Sequence, residues 1–269
     1  MIRLACASLS FDGFGDCDFR KTFADVAEAG YKHLEFNCWY PGTLMPAKMR
    51  DLAERCKAAQ VHPASLHVSH FGGTGNVGIT KDLCHKMRAV DAALELGCRM
   101  VSATGCARGT EGGLESIIAV LKELVPYAES RDVLISLENH EKNNLENLAD
   151  YQALLDAVPS THLGITMDTG HFDAAAVRLD ELVDRFFERI NHIHLKENKG
   201  FGVKDFTRFG EGTTENARIV ERMIQKGYSG YLVIEVSPEI AKGDPRPFSV
   251  EDLKKPYRMF HSYEREEAS

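Results

Sequence analysis

Short apolar runs in which every second residue is polar alternate along this chain with longer stretches whose apolar residues recur at helical spacing. The first run is Arg3 to Leu9, followed by a helix from about Phe19 to Ala29 that Gly30 closes. Tyr31 to Asn37 predicts strand two, Pro46 to Ala59 a helix with proline in its first turn, and Val61 to Ser69 strand three. After a glycine-rich loop come a helix Thr80 to Leu96, a strand Arg99 to Ala103 and a helix Leu114 to Ser130. The second half repeats the rhythm. Strands Val133 to His140, Leu163 to Asp168, Asn191 to Lys196 and Tyr231 to Glu235 follow, with helices near Leu145 to Val158, Leu179 to Arg189 and Thr214 to Lys226. About eight strand and helix pairs in this length predict an α/β chain folded as a single (β/α)8 TIM barrel. Asp244 to Phe248 reads as a linker to a last helix around Val250 to Tyr263, in a C-terminal tail from about residue 245 to 269.

Strand parity separates two faces, because successive side chains of a strand point to opposite sides of the sheet. In strand five Val133, Ile135 and Leu137 oppose Ser136, Glu138 and His140. In strand six Leu163, Ile165 and Met167 oppose Gly164, Thr166 and Asp168; in strand seven Ile193 and Leu195 oppose His192, His194 and Lys196. In strand eight Leu232 and Ile234 leave Glu235 on the other side. The apolar sets must face the helices. The polar sets therefore point into the barrel, and at the carboxyl end of a strand that is the catalytic face.

Composition narrows the class of protein. With 269 residues, 27% charged and 43% hydrophobic, the chain is long enough for a large core and carries no low-complexity tract. The net charge of −8 and the absence of a basic cluster argue against nucleic acid. No apolar run approaches a membrane span or the core of a signal peptide, so a cytoplasmic location is expected. Seven scattered cysteines without a Cys-x-x-Cys pair read as small buried hydrophobes.

Glu138, Asp168, His194 and Glu235 supply three carboxylates and one imidazole at four successive strand ends. Such an oxygen-rich set suits Mn²⁺ first, or Mg²⁺ or Co²⁺, and leaves coordination positions for two substrate oxygens. Ser-Leu-Glu138-Asn-His, Met-Asp168-Thr-Gly-His171, His192-Ile-His194-Leu-Lys196 and Val-Ile-Glu235 together resemble the sugar phosphate isomerase/epimerase branch of the xylose-isomerase-like TIM-barrel superfamily, over nearly the whole chain. The resemblance implies a divalent metal on those four residues and substrate contacts from His171 and from an arginine after strand seven, which Arg208 matches. It further implies that Glu138 and Glu235 exchange a proton beside a metal-bound carbonyl of a keto sugar or related polyol. Lys196 is placed to neutralise developing negative charge.

One position departs from the ketose 3-epimerase pattern: the second glutamate expected six residues beyond Glu138 is Asn144. His140, two residues after Glu138, is then a candidate base, as in lyase members of the superfamily such as dehydratases and C-glycoside deglycosidases acting on 3-keto sugars. The inward polar residues His33, Glu35, Asn37, Ser65, His67 and Ser69 read as contacts to sugar hydroxyls, and Trp39 as an apolar wall for a sugar ring.

Gly73-Thr-Gly75-Asn-Val-Gly78 matches a dinucleotide-binding glycine pattern, but the next strand ends without the acid that would take the ribose. The stretch reads instead as an active-site lid. A DNA-repair endonuclease on this barrel would need further histidines, where this chain has Ser102, Asp205 and Thr207. The expected partner is a small carbohydrate. A homo-oligomer, a pairing with a small partner subunit, and a non-catalytic sugar-binding role remain open at this point.

Overall fold

Inward alanines on the first strand, Val233 on the last and polar residues on the strands between define a barrel whose interior is largely polar. The computed structural model describes residues 1–14, 18–238, 240, 246 and 248–265. Its strands are β1 (Ile2–Ala7), β2 (His33–Cys38), β3 (His62–Val68), β4 (Met100–Thr104), β5 (Leu134–Glu138), β6 (Leu163–Asp168), β7 (Ile190–Leu195) and β8 (Gly230–Ile234). All are parallel and close in chain order, β8 pairing back onto β1. The helices are α1 (Leu9–Asp12), α2 (Arg20–Ala29), α3 (Pro46–Ala59), α4 (Gly75–Leu96), α5 (Gly113–Glu129), α6 (Leu148–Ala157), α7 (Thr169–Ala174), α8 (Leu179–Phe186), α9 (Asn216–Gln225) and α10 (Glu251–Phe260). The chain is thus an eight-stranded α/β barrel in one domain. Among the described residues no helix is long and apolar enough to cross a membrane. Of the expected linker, Asp244, Pro245 and Pro247 lie outside the described residues, as do Asp16, Cys17 and the tail from residue 266.

Local chemistry sets the element ends. Gly30 and Gly97 close α2 and α4 with φ of 95°, in the left-handed region that costs other residues a side-chain clash. At α6, Asn147 accepts from the Ala149 and Asp150 amides and Asp150 reaches back, a reciprocal cap.

The parity of the strands is visible as two separate hydrophobic clusters. Leu137, Ile165, Ile193, Leu232 and Ile234 belong to the large cluster between sheet and helices, whereas Ala5, Ala7, Ala64 and Val233 form a small cluster of their own, with Trp39 and Tyr231 packed against it. The remaining inward positions include Glu35, Ser65, Ser102, Ser136, Thr166, His192 and His194, all buried. They satisfy one another. Ser102 pairs with Thr166 at 3.0 Å, Thr166 donates to Ser136 at 2.6 Å, and Ser136 donates to Asn191 at 2.6 Å. A buried hydroxyl without such a partner would cost on the order of 1–3 kcal/mol.

Three expectations change. The glycine stretch is not a free lid: α4 begins at Gly75, the Gly72 and Gly73 amides both donate to Asp82 Oδ2 at 2.9 Å, and a Cβ on Gly73 would meet the Gly78 carbonyl oxygen at 2.2 Å. Cys84 is exposed, although Cys6, Cys38, Cys56, Cys98 and Cys106 are buried as expected. A short helix, α7, follows β6 directly, because Asp168 itself caps it by accepting the His171 amide at 2.8 Å.

Candidate metal centre

At the carboxyl ends of β5 to β8 one ligating atom each from Glu138, Asp168, His194 and Glu235 falls within 4.8 Å of the others, all four residues buried. The register explains the convergence, since Asp168 lies beside His194 across the β6–β7 pair and Leu195 beside Ile234 across the β7–β8 pair. His194 directs Nδ1 at the carboxylates, 2.9 Å from Glu138 Oε1, 3.2 Å from Glu235 Oε2 and 4.0 Å from Asp168 Oδ2. Lys196, buried one inward position further on, contacts Asp168 Oδ2 at 3.0 Å and Glu235 Oε1. Its stem packs on α7, where a Cβ at Gly170 would come within 2.8 Å of Lys196 Cγ.

The electrostatics follow from three acids and one lysine sharing a dry volume. Burial, reinforced by Glu235 and Glu138 and opposed by Lys196, pushes the Asp168 carboxyl up to about 7. Burial would also raise Glu235, but Lys196 and the hydrogen bond from His194 pull it down to about 2. Against burial, the His194 and His67 imidazoles hold Glu138 well below the usual carboxylate range. His194 itself is held well above the usual histidine range by Glu35 and Glu138, again against burial. Lys196 is held charged by Asp168 and Glu235.

Does this set suit a divalent cation? Asp168 Oδ2 is buried and makes no hydrogen bond among the described residues, the Lys196 ammonium approaching it outside hydrogen-bonding geometry. Three oxygens and one imidazole nitrogen, converging with excess negative charge and one unsatisfied oxygen, fit a hard or borderline cation such as Mn²⁺, Mg²⁺ or Co²⁺. The fit is good.

Asp168 and Glu138 each have an outer support. Asp168 Oδ1 takes the His171 amide. The Trp39 indole donates to His67 Nδ1 at 2.8 Å, and His67 Nε2 lies 2.8 Å from Glu138 Oε2. Burial opposes a charge on His67 and Glu138 draws its pKa upward. The indole needs a lone pair on Nδ1, which assigns the neutral tautomer with its proton on Nε2, donated to Glu138. His67, expected as a sugar contact, is thus bonded to Glu138, and Trp39, expected as a wall, is also the donor that orients it.

Glu35 was expected at the substrate and lies instead sealed beneath the four residues. It has no exposed surface, and its Oε2 receives Ser65 Oγ at 2.7 Å and lies 2.9 Å from His192 Nε2. Asn37 likewise turns inward, accepting from Ser8 Oγ at 3.0 Å and the Leu9 amide at 2.9 Å. His33 packs against His62 and Tyr231.

On the β5–β6 side of the mouth, His171 Nδ1 lies 2.6 Å from Glu141 Oε2, and the His140 and His171 rings stand 3.9 Å apart. Lys204 pairs with the other Glu141 oxygen at 2.6 Å. Burial, with the Lys196 and His140 charges adding to it, lowers His171 to about 3, so the ring is neutral near pH 7. With Nδ1 committed to Glu141, Nε2 is the nitrogen left as an acceptor. Glu141 escaped the sequence reading because it follows the strand, where parity no longer applies. Its one signal is the acid directly after His140. Asn144 points elsewhere, accepting from the Cys106 amide at 3.1 Å and donating to Cys106 Sγ at 3.0 Å. Arg208 donates to Asp252 Oδ1 at 2.6 Å and to the Arg246 carbonyl at 3.0 Å. It ties the β7–α9 loop to α10 and does not join the four-residue centre.

Comparison with known proteins agrees with the barrel. The sequence model of the family described as "Xylose isomerase-like TIM barrel" matches residues 23–254. An inosose dehydratase of Mesomycoplasma hyopneumoniae (strain 7448) is 22% identical over 264 residues, covering 87% of this chain and 86% of its own. An inosose dehydratase of Serratia proteamaculans (strain 568) is 24% identical over 265 residues, covering 86% and 87%. Among solved structures, the IOLI protein with a binding zinc atom superposes with a TM-score of 0.78 at 19% identity, covering 97% of both chains. The D-allulose 3-epimerase from Methylomonas sp. in complex with D-allulose gives a TM-score of 0.78 at 19% identity, covering 97% of this chain and 96% of that one.

Proposed function

Because the chain belongs to the xylose isomerase-like TIM barrel family, we propose that it is a divalent-metal-dependent isomerase or epimerase that enolises a keto sugar or related polyol. The observation that carries this reading is the convergence of Glu138, Asp168, His194 and Glu235 within 4.8 Å at the catalytic face. Those four residues would hold the cation, Mn²⁺ by preference, which when bound polarises the substrate carbonyl and so acidifies the neighbouring C–H.

The chain's own groups supply the remainder. Glu138 and Glu235 are both ionised at neutral pH by their neighbours, so either carboxylate accepts the proton from the carbon beside the carbonyl, and the carboxylic acid so formed returns it; return from the opposite carboxylate requires that residue to have first taken up a proton from solvent. The Lys196 ammonium, in contact with Asp168 and Glu235, places a fixed positive charge against oxygen that becomes negative. His171, neutral and oriented by Glu141, accepts a substrate hydroxyl at Nε2. Trp39, with its ring 5.6 Å from that of Phe14, supplies an apolar side.

A second reading, a lyase of the same family, is favoured by the His140, Glu141 and His171 group. Asn144 stands where a second catalytic glutamate is expected and bonds to Cys106, while His140 stands at the mouth, its ring 3.9 Å from that of His171, and is the member of the group left to serve a departing hydroxyl as an acid. The curated relatives that cover most of the chain are named dehydratases. Proton NMR of the Mn²⁺-loaded enzyme with ketoses, inososes and 3-keto glycosides in D₂O separates the two. Deuterium at the carbon beside the carbonyl, without elimination, is expected of the isomerase. Release of water or an aglycone establishes the lyase, and no exchange with any of them would overturn both.

A further inference from the structure

The contact between Glu35 and the two histidines of β7 crosses the barrel, since β1 and β8 separate β2 from β7 in the closed sheet. It is possible because the inward residues of those two intervening strands are small there, Ala5, Ala7 and Val233. Glu35 Oε1 lies 3.1 Å from His194 Nε2, and Oε2 lies 3.2 Å from the same atom. Oε2 also receives Ser65 Oγ at 2.7 Å and lies 2.9 Å from His192 Nε2, whose Nδ1 is buried without a partner among the described residues. His192 therefore presents Nε2–H to Glu35. A carboxylate this deep in a barrel is costly to bury unless its charge and lone pairs are answered. Here three donors from two strands answer Oε2, while Oε1 makes no hydrogen bond among the described residues and has the His194 imidazole 3.1 Å away as its counter-charge.

We propose that Glu35 is a positioning residue that fixes His194 with its proton on Nε2 and so keeps Nδ1 as the ligating atom aimed at Glu138, Asp168 and Glu235. This rests on the reading of those residues as cation ligands. An imidazole has two nitrogens, and the hydrogen bond made by one decides what the other can do. Of the His194 nitrogens, Nε2 faces only the sealed Glu35 carboxylate, whereas Nδ1 faces Glu138 and Glu235 at the centre, where a bound cation would take the place of its proton. Ser65 and His192 hold the carboxylate in turn, so the tautomer is set two contacts away from the site. A histidine ligand backed by a carboxylate is bound more firmly and in one orientation.

The test compares Mn²⁺ affinity, by competition with a chromophoric chelator, in the wild type, Glu35→Ala and Glu35→Gln. The wild type binds one equivalent, Glu35→Ala binds roughly 10- to 100-fold more weakly, and Glu35→Gln, which fills the same space with less accepting capacity, binds about tenfold more weakly. ¹⁵N NMR of histidine-labelled protein reports the tautomer directly. The metal-bound wild type shows His194 protonated at Nε2, and the Gln variant shows a mixture. Should Glu35→Gln bind Mn²⁺ as tightly as the wild type, with an unaltered His194 tautomer, Glu35 only fills space and the proposal is overturned. That holds even if Glu35→Ala fails to fold. Absence of Mn²⁺ binding by the wild type itself would instead remove the ligand reading and this inference with it.

Discussion

The Trp39 indole nitrogen lies 2.8 Å from Nδ1 of His67, and through that imidazole it reaches Glu138. A residue that sequence alone places at the sugar therefore also acts on a candidate ligand. Replacing the indole by a benzene ring separates these roles. Trp39→Phe keeps an apolar wall but removes the donor, leaving His67 free to exchange tautomers and its grip on Glu138 loosened. Mn²⁺ affinity is expected to fall about tenfold, near the lower end of the 10- to 100-fold cost of losing an outer support. A chelator titration checks this, and affinity equal to the wild type would show that the indole only lines the pocket.

Lys196 bridges Asp168 and Glu235 in the interior. Lys196→Met leaves two buried carboxylates without that counter-charge, and breaking a buried pair costs roughly 3–5 kcal/mol. Thermal unfolding in EDTA should show a clear loss of stability. A divalent cation replaces the missing positive charge, so the rise in Tm on adding Mn²⁺ should be larger in the variant than in the wild type. Equal increments would mean that lysine and cation do not share this charge balance.

Much of the architecture is legible in the sequence because a two-residue period on most of the strands leaves little choice of face. Glu138, Asp168, His194 and Glu235 stand out for the same reason, each being an inward acid or imidazole near the carboxyl end of its run. Parity gives a face but no depth, however. Glu35 and Glu138 both point inward, yet Glu35 sits under the centre and Glu138 in it, which depends on the stagger of β2 against β7 across the barrel. Arg208 is harder to place from sequence: its loop has no period, and it bonds Asp252 on α10, a contact between segments 44 residues apart. In α7 six residues form a helix with no apolar repeat to announce it, the cap coming from Asp168.

His33 and His85 make stability depend on pH in a direction that can be stated. Burial lowers each from the ordinary 6.5 to about 4, with nearby basic groups adding to it, and His33 Nδ1 and His85 Nε2 are buried without a partner among the described residues. Between pH 6.5 and 4 the unfolded chain binds protons on these rings that the folded chain does not, so stability rises with pH there. Their contribution is complete above pH 6.5 and is lost as the pH falls toward 4. In urea unfolding at pH 7 and pH 4.5, the double variant His33→Gln, His85→Gln should lose less stability on acidification than the wild type. An identical loss would assign the acid sensitivity to other groups.

The central claim is that one divalent cation is held by Glu138, Asp168, His194 and Glu235. Crystals grown with Mn²⁺ and measured on either side of the manganese absorption edge test it directly. The account predicts one strong anomalous peak within bonding distance of His194 Nδ1 and of an oxygen from each of the three carboxylates, absent in Glu138→Gln, His194→Ala protein. A peak elsewhere, or none at these residues in the wild type, would contradict it.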